Sequence, residues 1–172
     1  GEKYCFTSDA VLLARFARVK KGDIVADFCS GSGIVGIHLY GLNPTLINSV
    51  TLFEMQKPLF ELSKKSIREN GLEDKFTAVN TKVQDIGTEF NGKFSLIVCN
   101  PPYAKIDSGD HDQNIEIDLC RREVALSVPE LLKAVSFSLK YGGRFCICHR
   151  ADRLIDVVTA MKDHNIEPQI LQ

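Results

Sequence analysis

A doubly wound, mostly parallel α/β sheet is the fold class predicted by this sequence of 172 residues. Three observations carry that expectation. Short apolar runs alternate with longer stretches of helical periodicity along the chain, the pattern of repeated strand–helix–strand units. The first such run, Ile24 to Phe28, passes straight into a glycine-rich turn, as chains do where a strand feeds a ligand-binding helix. The run Phe94-Ser95-Leu96-Ile97-Val98-Cys99 has no polar face to alternate with, which is what a strand covered by helices on both sides requires.

Taken in order, Ser8 or Asp9 caps a helix over Ala10 to Ala17, and Ile24 to Phe28 makes the first buried strand. Ile34 to Tyr40 fits a helix stopped by Gly41 and Pro44, and Ser49 to Phe53 a second strand ending at Glu54. Pro58, with φ already near the helical value, suits the start of a third helix that Asn70-Gly71 ends. Phe76 to Val79 and Phe94 to Cys99 are strands three and four. The Asp-, Ser- and Gly-rich stretch Ala104 to Asn114 is a loop, and a helix over Ile115 to Ala125 follows. In Ser127-Val128-Pro129-Glu130 the serine and glutamate side chains can each accept the other's main-chain N–H, a capping box opening a helix that ends before Gly142-Gly143. Arg144 to His149 is a fifth strand, Arg153 to His164 a last helix, and Ile166 to Ile170 the start of a sixth strand. Ligands of such sheets sit at the carboxyl ends of the strands. The glycines, Glu54 and Asn100-Pro101-Pro102-Tyr103 all fall on that edge.

The length suits one domain spanning residues 1–172. Apolar residues at 44% and charged residues at 25% exclude disordered, collagen-like and coiled-coil chains. A formal net charge of −1 excludes a polycation that holds nucleic acid by bulk charge, but leaves room for a local basic face. No apolar run reaches the roughly 20 residues of a membrane span. Gly1 to Lys21 carries charges throughout and lacks the apolar centre of a signal peptide, so a cytoplasmic location is expected. The cysteines, Cys5, Cys29, Cys99, Cys120, Cys146 and Cys148, lack the spacing of zinc ligands. No metal is expected, and the cysteines in apolar runs are read as small core hydrophobes.

Asp27-Phe28-Cys29-Ser30-Gly31-Ser32-Gly33-Ile34-Val35-Gly36 holds G-x-G-x-x-G between strand and helix, with Glu54 at the end of the next strand. The glycines let the main chain turn tightly and approach a ligand, and the carboxylate can accept hydrogen bonds from both ribose hydroxyls. An adenosine-type site follows. A dinucleotide would bring pyrophosphate to the helix terminus, where Asp27 would repel it. Asp27 suits a ligand with a cationic part, such as the ammonium and sulfonium of S-adenosylmethionine; its alternative role is to cap the turn.

Asn100-Pro101-Pro102-Tyr103 directly follows the buried fourth strand. The two prolines fix φ and stiffen a turn with outward carbonyls. The Asn100 side-chain oxygen and the Pro101 carbonyl can each accept one N–H of a planar amino group, with Tyr103 flat against the ring or amide that bears it. Accepting both hydrogens returns electron density to a delocalised nitrogen and aims it at a methyl donor, which needs orientation and not a strong base.

Together these residues resemble the Rossmann-like class I S-adenosylmethionine-dependent methyltransferases that modify amino nitrogens, through Asp27, Gly31, Gly33, Glu54, Asp85 and Asn100-Pro101-Pro102-Tyr103. The segments Tyr4 to Leu13 and Cys148 to Leu154 are similar to the bacterial tRNA1(Val) adenine-37 N6-methyltransferase family. That resemblance implies that Gly31 and Gly33 pass the methionine moiety, Glu54 holds the ribose, Asp85 contacts the adenine, and Thr7 and Ser8 line the methionine end. It also implies that Asn100 and Tyr103 hold a target base in RNA. As ordinary residues, Asp85 would cap a turn and Thr7 or Ser8 a helix.

Charge gives mixed support for RNA. Gly1 to Lys21 has five basic and two acidic residues and Leu119 to Arg153 seven and three, but Ala104 to Asp118 has one and five. Arg121, Arg122, Arg150 and Arg153 are the candidate phosphate contacts. N5-methylation of a protein glutamine is the alternative, since a carboxamide presents the same planar amine and related enzymes carry the same Asn-Pro-Pro-Tyr run. An NAD-binding oxidoreductase domain and a non-catalytic RNA-binding module are the readings from other classes. Relatives of this fold close the sheet with a sixth strand and an antiparallel seventh, so the sequence is expected to be incomplete at its C-terminus; otherwise Arg144 to His149 would be a bare edge strand.

Overall fold

Five strands line up as one all-parallel sheet, in the spatial order third, second, first, fourth, fifth along the chain. The computed structural model describes residues 8–102 and 126–172. In chain order the elements are α1 (Ser8–Phe16), β1 (Asp23–Phe28), α2 (Ile34–Leu42), β2 (Ile47–Phe53), α3 (Lys57–Glu69), β3 (Phe76–Val79), β4 (Phe94–Cys99), α4 (Val128–Ser138), β5 (Leu139–Ile147) and α5 (Leu154–Asp163). Short 3-10 turns sit at Val83–Asp85, Thr88–Phe90 and Ala151–Arg153. The chain starts at the sheet centre, steps outward to β3, then crosses back to β4, so the winding reverses between β1 and β4. Ligands of doubly wound folds lie in the crevice at such a reversal.

Both faces of the sheet are covered. On one, Phe28, Phe53, Phe94 and Ile97 pack with Leu131, Leu132 and Val135 of α4 and Val157 of α5. On the other, Val50, Leu52, Leu96 and Val98 meet Leu13 of α1, Leu39 of α2 and Ile67 of α3. The phenyl edges of Phe28, Phe90 and Phe94 meet Phe53 at 5.3, 5.0 and 5.8 Å between centroids, a geometry aromatic quadrupoles favour. Every residue of β4 is buried, as its unbroken apolar pattern predicts. Cys99 is buried and Cys29, Cys146 and Cys148 are half-buried, packed against these clusters; Cys5, Cys120 and the helix expected over Ile115 to Ala125 lie outside the described residues.

Several boundaries differ from expectation. Ser8 and Asp9 are already helical, so they lie within α1 and do not precede it. α2 runs through Gly41 to Leu42 and is closed by Asn43, whose N–H reaches the Tyr40 carbonyl and whose side chain reaches the Leu39 carbonyl. β5 begins at Leu139, directly after α4, because its main chain already pairs with Phe94; a register shift before the Leu96–Arg144 pair accommodates the Gly142-Gly143 step. Ile166 to Ile170 forms no strand. There Asn165 turns left-handed at φ 58° and the Ile166 N–H returns to the Met161 carbonyl at 2.8 Å, so this stretch closes α5 instead of pairing. The capping box at the start of α4 forms as expected, with the Ser127 N–H 2.9 Å from Glu130 Oε2.

Candidate functional site

Phe28, Phe53, Val79, Cys99 and Ile147 stand in register across the sheet. The next residue of each strand is therefore at one edge: Cys29, Glu54, Asn80, Asn100 and Cys148. Past β1 the chain doubles back through three left-handed residues, Cys29 at φ 57°, Gly31 at 56° and Gly33 at 85°. The Ser30 N–H is tied to the Phe53 carbonyl at 3.0 Å and the Gly33 N–H to the Ser30 carbonyl at 2.8 Å. A Cβ on Gly33 or Gly36 would lie 2.7 Å from a Leu52 methyl, so the glycines bring the start of α2 down onto β2.

Asp27 is 1% exposed. Its Oδ2 accepts the Gly36 N–H at 2.9 Å, while Oδ1 is buried without a hydrogen-bond partner among the described residues, as is the Ser30 hydroxyl. Burial pushes the Asp27 carboxyl up to about 7; the Gly36 N–H opposes that shift and the charge of Glu54 adds to it. Oδ2 thus holds the first turn of α2, the capping role foreseen for Asp27, and Oδ1 is left in a buried, polar spot.

Glu54 is also buried. Its Oε2 accepts the Gly31 N–H at 2.8 Å and its Oε1 the Gln56 N–H at 2.7 Å, which leaves lone pairs on each oxygen for hydroxyl donors. Burial raises its pKa against the N–H groups of Gln56, Gly31 and Met55. This carboxylate bridges the turns after β1 and β2. Asn80 went unnoticed in the sequence; its Nδ2 donates to the carbonyls of Glu54 at 2.7 Å and Met55 at 3.0 Å. The available signal was an Asn directly after a strand end on the ligand edge.

Asp85 is exposed in the 3-10 turn beyond β3. Asn100 is half-buried, Pro101 buried and Pro102 exposed. The Cys148 N–H bonds the Cys99 carbonyl at 3.1 Å, which extends the ladder beyond β4 and fixes the start of the Asn100 turn. Burial holds the Cys99 thiol well above its ordinary pKa, the state of a core thiol and not of a nucleophile. Ser8 is exposed within α1. Thr7 and Tyr103 lie outside the described residues, as do Arg121 and Arg122. Arg150 pairs with Asp152 at 3.0 Å and Arg153 with Asp156 at 2.8 Å, so two of the four arginines expected to meet phosphate are partly neutralised.

A doubly wound parallel sheet with a glycine turn after β1, a buried acid after β2 and an Asn-Pro-Pro turn after β4 defines a Rossmann-like domain. The chain belongs to the methyltransferase small domain family, whose model matches residues 7–124. Among solved structures, a precorrin-6y C5,15-methyltransferase from Geobacter metallireducens GS-15 shares the fold at a TM-score of 0.67 and 14% identity, over 96% of this chain and 75% of that one. A tRNA1(Val) (adenine(37)-N6)-methyltransferase from Flavobacteriaceae bacterium strain 3519-10 is 27% identical over 81% of this chain and 57% of its own length. A release factor glutamine methyltransferase from Mycoplasma mycoides is 30% identical over 60% of this chain and 36% of its own. The chain therefore spans little more than half the length of the first of these curated relatives and about a third of the second. Among the described residues no helix is long and apolar enough to cross a membrane.

Proposed function

We propose that this chain transfers a methyl group from S-adenosylmethionine to the exocyclic N6 amine of an adenine in RNA, with the anticodon-loop adenine 37 of a tRNA-Val as target. One observation carries the reading. Phe28 and Cys99 are paired neighbours at the reversal point, so the glycine turn and Asn100 begin one strand apart, about 5 Å, as a donor and an acceptor pocket must. The residues fit the cofactor: the orphaned Asp27 Oδ1 and Ser30 Oγ and two buried acids make a polar spot suited to a cation, and Glu54 keeps acceptor capacity for a diol.

S-Adenosylmethionine, when bound, supplies a methyl carbon made electrophilic by its sulfonium. Gly31 and Gly33 pass the methionine portion, with Thr7 and Ser8 at its far end and Asp27 beside its charged groups. Glu54 holds the ribose and Asp85 the adenine. The Asn100 side-chain oxygen and the Pro101 carbonyl accept the two amine hydrogens and return lone-pair density to the nitrogen. Tyr103 offers a flat surface for the unstacked base, worth roughly 1–3 kcal/mol. No strong base is required.

The second reading, methylation of a protein glutamine, is favoured by the glutamine methyltransferase relative and by the ion-paired state of Arg150 and Arg153. Bulk tRNA incubated with the protein and S-adenosylmethionine, then digested to nucleosides and weighed, distinguishes them. New N6-methyladenosine is expected; methyl groups entering release-factor or ribosomal protein instead overturn the adenine assignment while keeping the methyltransferase.

A further inference from the structure

The bend after β2 has an unusual feature. Along a strand successive carbonyls point to opposite sides, yet those of Glu54 and Met55 converge on one group, the Asn80 Nδ2, at 2.7 and 3.0 Å. Two carbonyl oxygens brought together repel unless a donor stands between them, and an amide NH2 has two hydrogens, one for each. The same bend brings the Gln56 N–H back to the Glu54 Oε1 at 2.7 Å, and the Glu54 N–H is held by the Val79 carbonyl at 3.1 Å. The Glu54 backbone is thus held at both its N–H and its carbonyl from the end of β3. Its carboxylate is held by Gly31 on one oxygen and Gln56 on the other. Asn80 itself is exposed, outside both apolar clusters, so little of the global fold depends on it.

We propose that Asn80 is a positioning residue for ribose recognition: it holds the Glu54–Met55 bend so that the Glu54 carboxylate presents its remaining lone pairs to the paired hydroxyls of an adenosine ligand. This rests on the reading that Glu54 holds the ribose. Without the Asn80 donor the two carbonyls turn apart, the Gln56 N–H leaves Oε1, and the carboxylate rotates about its Gly31 contact. The loss falls on the sugar contact and not on the acceptor motif one strand beyond β1, nor on the core.

The test measures binding of S-adenosylhomocysteine and of its 2′-deoxyribose analogue by calorimetry, to the wild type and to Asn80→Ala and Asn80→Asp. The aspartate keeps the shape but lacks the donor, and it serves alone should the alanine variant fail to fold. The expected result is that both variants bind S-adenosylhomocysteine about tenfold more weakly, as the loss of two such hydrogen bonds implies, and that the preference for ribose over deoxyribose falls about fivefold. The unliganded melting temperature should stay within about 2 °C of the wild type. Variants that keep the wild-type ribose preference overturn the role of Asn80. A wild type that binds both ligands equally overturns it through Glu54, and a wild type that binds neither ligand overturns the methyltransferase reading itself.

Discussion

Asp27 has one oxygen tied to Gly36 and the other buried alone, and that environment sets how it responds to pH. Its value in the folded chain, about 7, lies above the 3.8 of an ordinary aspartate, so the folded state binds the proton more tightly. Stability from this group is fully present below about pH 4 and is lost as the pH climbs to about 7. Asp23 behaves in the opposite way. Burial would raise it, but the Lys20 N–H, Arg144 and Ser95 together hold it below 3.8, so its contribution exists above about pH 4 and vanishes as acid protonates it. Urea unfolding of the wild type and Asp27→Asn at pH 5 and pH 8 should show the variant gaining on the wild type as pH rises; an equal difference at both values contradicts the assignment. At the acceptor, Asn100→Ala should lower turnover by about two to three orders of magnitude while S-adenosylmethionine binding by calorimetry is unchanged, as removal of one preorganised polar partner does. Both residues were legible from the sequence because their types are unusual where a strand ends. That Asp27 is buried and bonded to Gly36 was not, because the bond spans nine residues of a turn whose path depends on three left-handed positions.

The turn from β1 to α2 shows what an element needs from single residues. Gly33 sits at φ 85°, where any Cβ crowds the following carbonyl, and a Leu52 methyl occupies the space beside it. Gly33→Ala should cost about 1–2 kcal/mol of stability from the left-handed backbone alone, read as a lower urea midpoint, and, on the proposed role of the turn in passing the methionine portion, should also weaken S-adenosylhomocysteine binding. Wild-type stability would show that the turn relaxes freely. The same scale separates what local pattern could and could not foretell. The α4 capping box and the limits of β3 and β4 were readable because a cap and an alternation-free run are local signals. β5 was placed five residues late, since its first residues belong to it through main-chain pairing with Phe94 and not through apolar character. Ile166 to Ile170 reads as a strand by composition, yet Ile166 is taken up in closing α5.

Across the whole molecule the two ends of the sheet do different work. At the amino ends, Arg144 of β5 reaches across to Asp23 of β1 at 2.5 Å and to the Arg18 carbonyl, and Ser95 of β4 donates to Asp23 at 2.7 Å. This network ties three strands together far from the ligand edge. Arg144→Met should cost on the order of 2 kcal/mol, since Asp23 loses its cation while keeping the Ser95 and Lys20 donors, and should leave the affinity for S-adenosylhomocysteine within about twofold. A large loss of ligand affinity without a loss of stability would contradict this division. The sequence alone determined the sheet class, the buried central strands and which residues follow the strand ends, because periodicity, glycine turns and the residue after each strand are properties of neighbours along the chain. Only the tertiary structure decided which strand ends lie side by side, that Glu54 bridges two turns, and that the Asn80 amide donates to the Glu54 and Met55 carbonyls. Those facts depend on residues brought together by the parallel pairing of β1 with β2 and β4 and of β2 with β3, and no linear pattern records a hydrogen bond between strands that are distant in sequence.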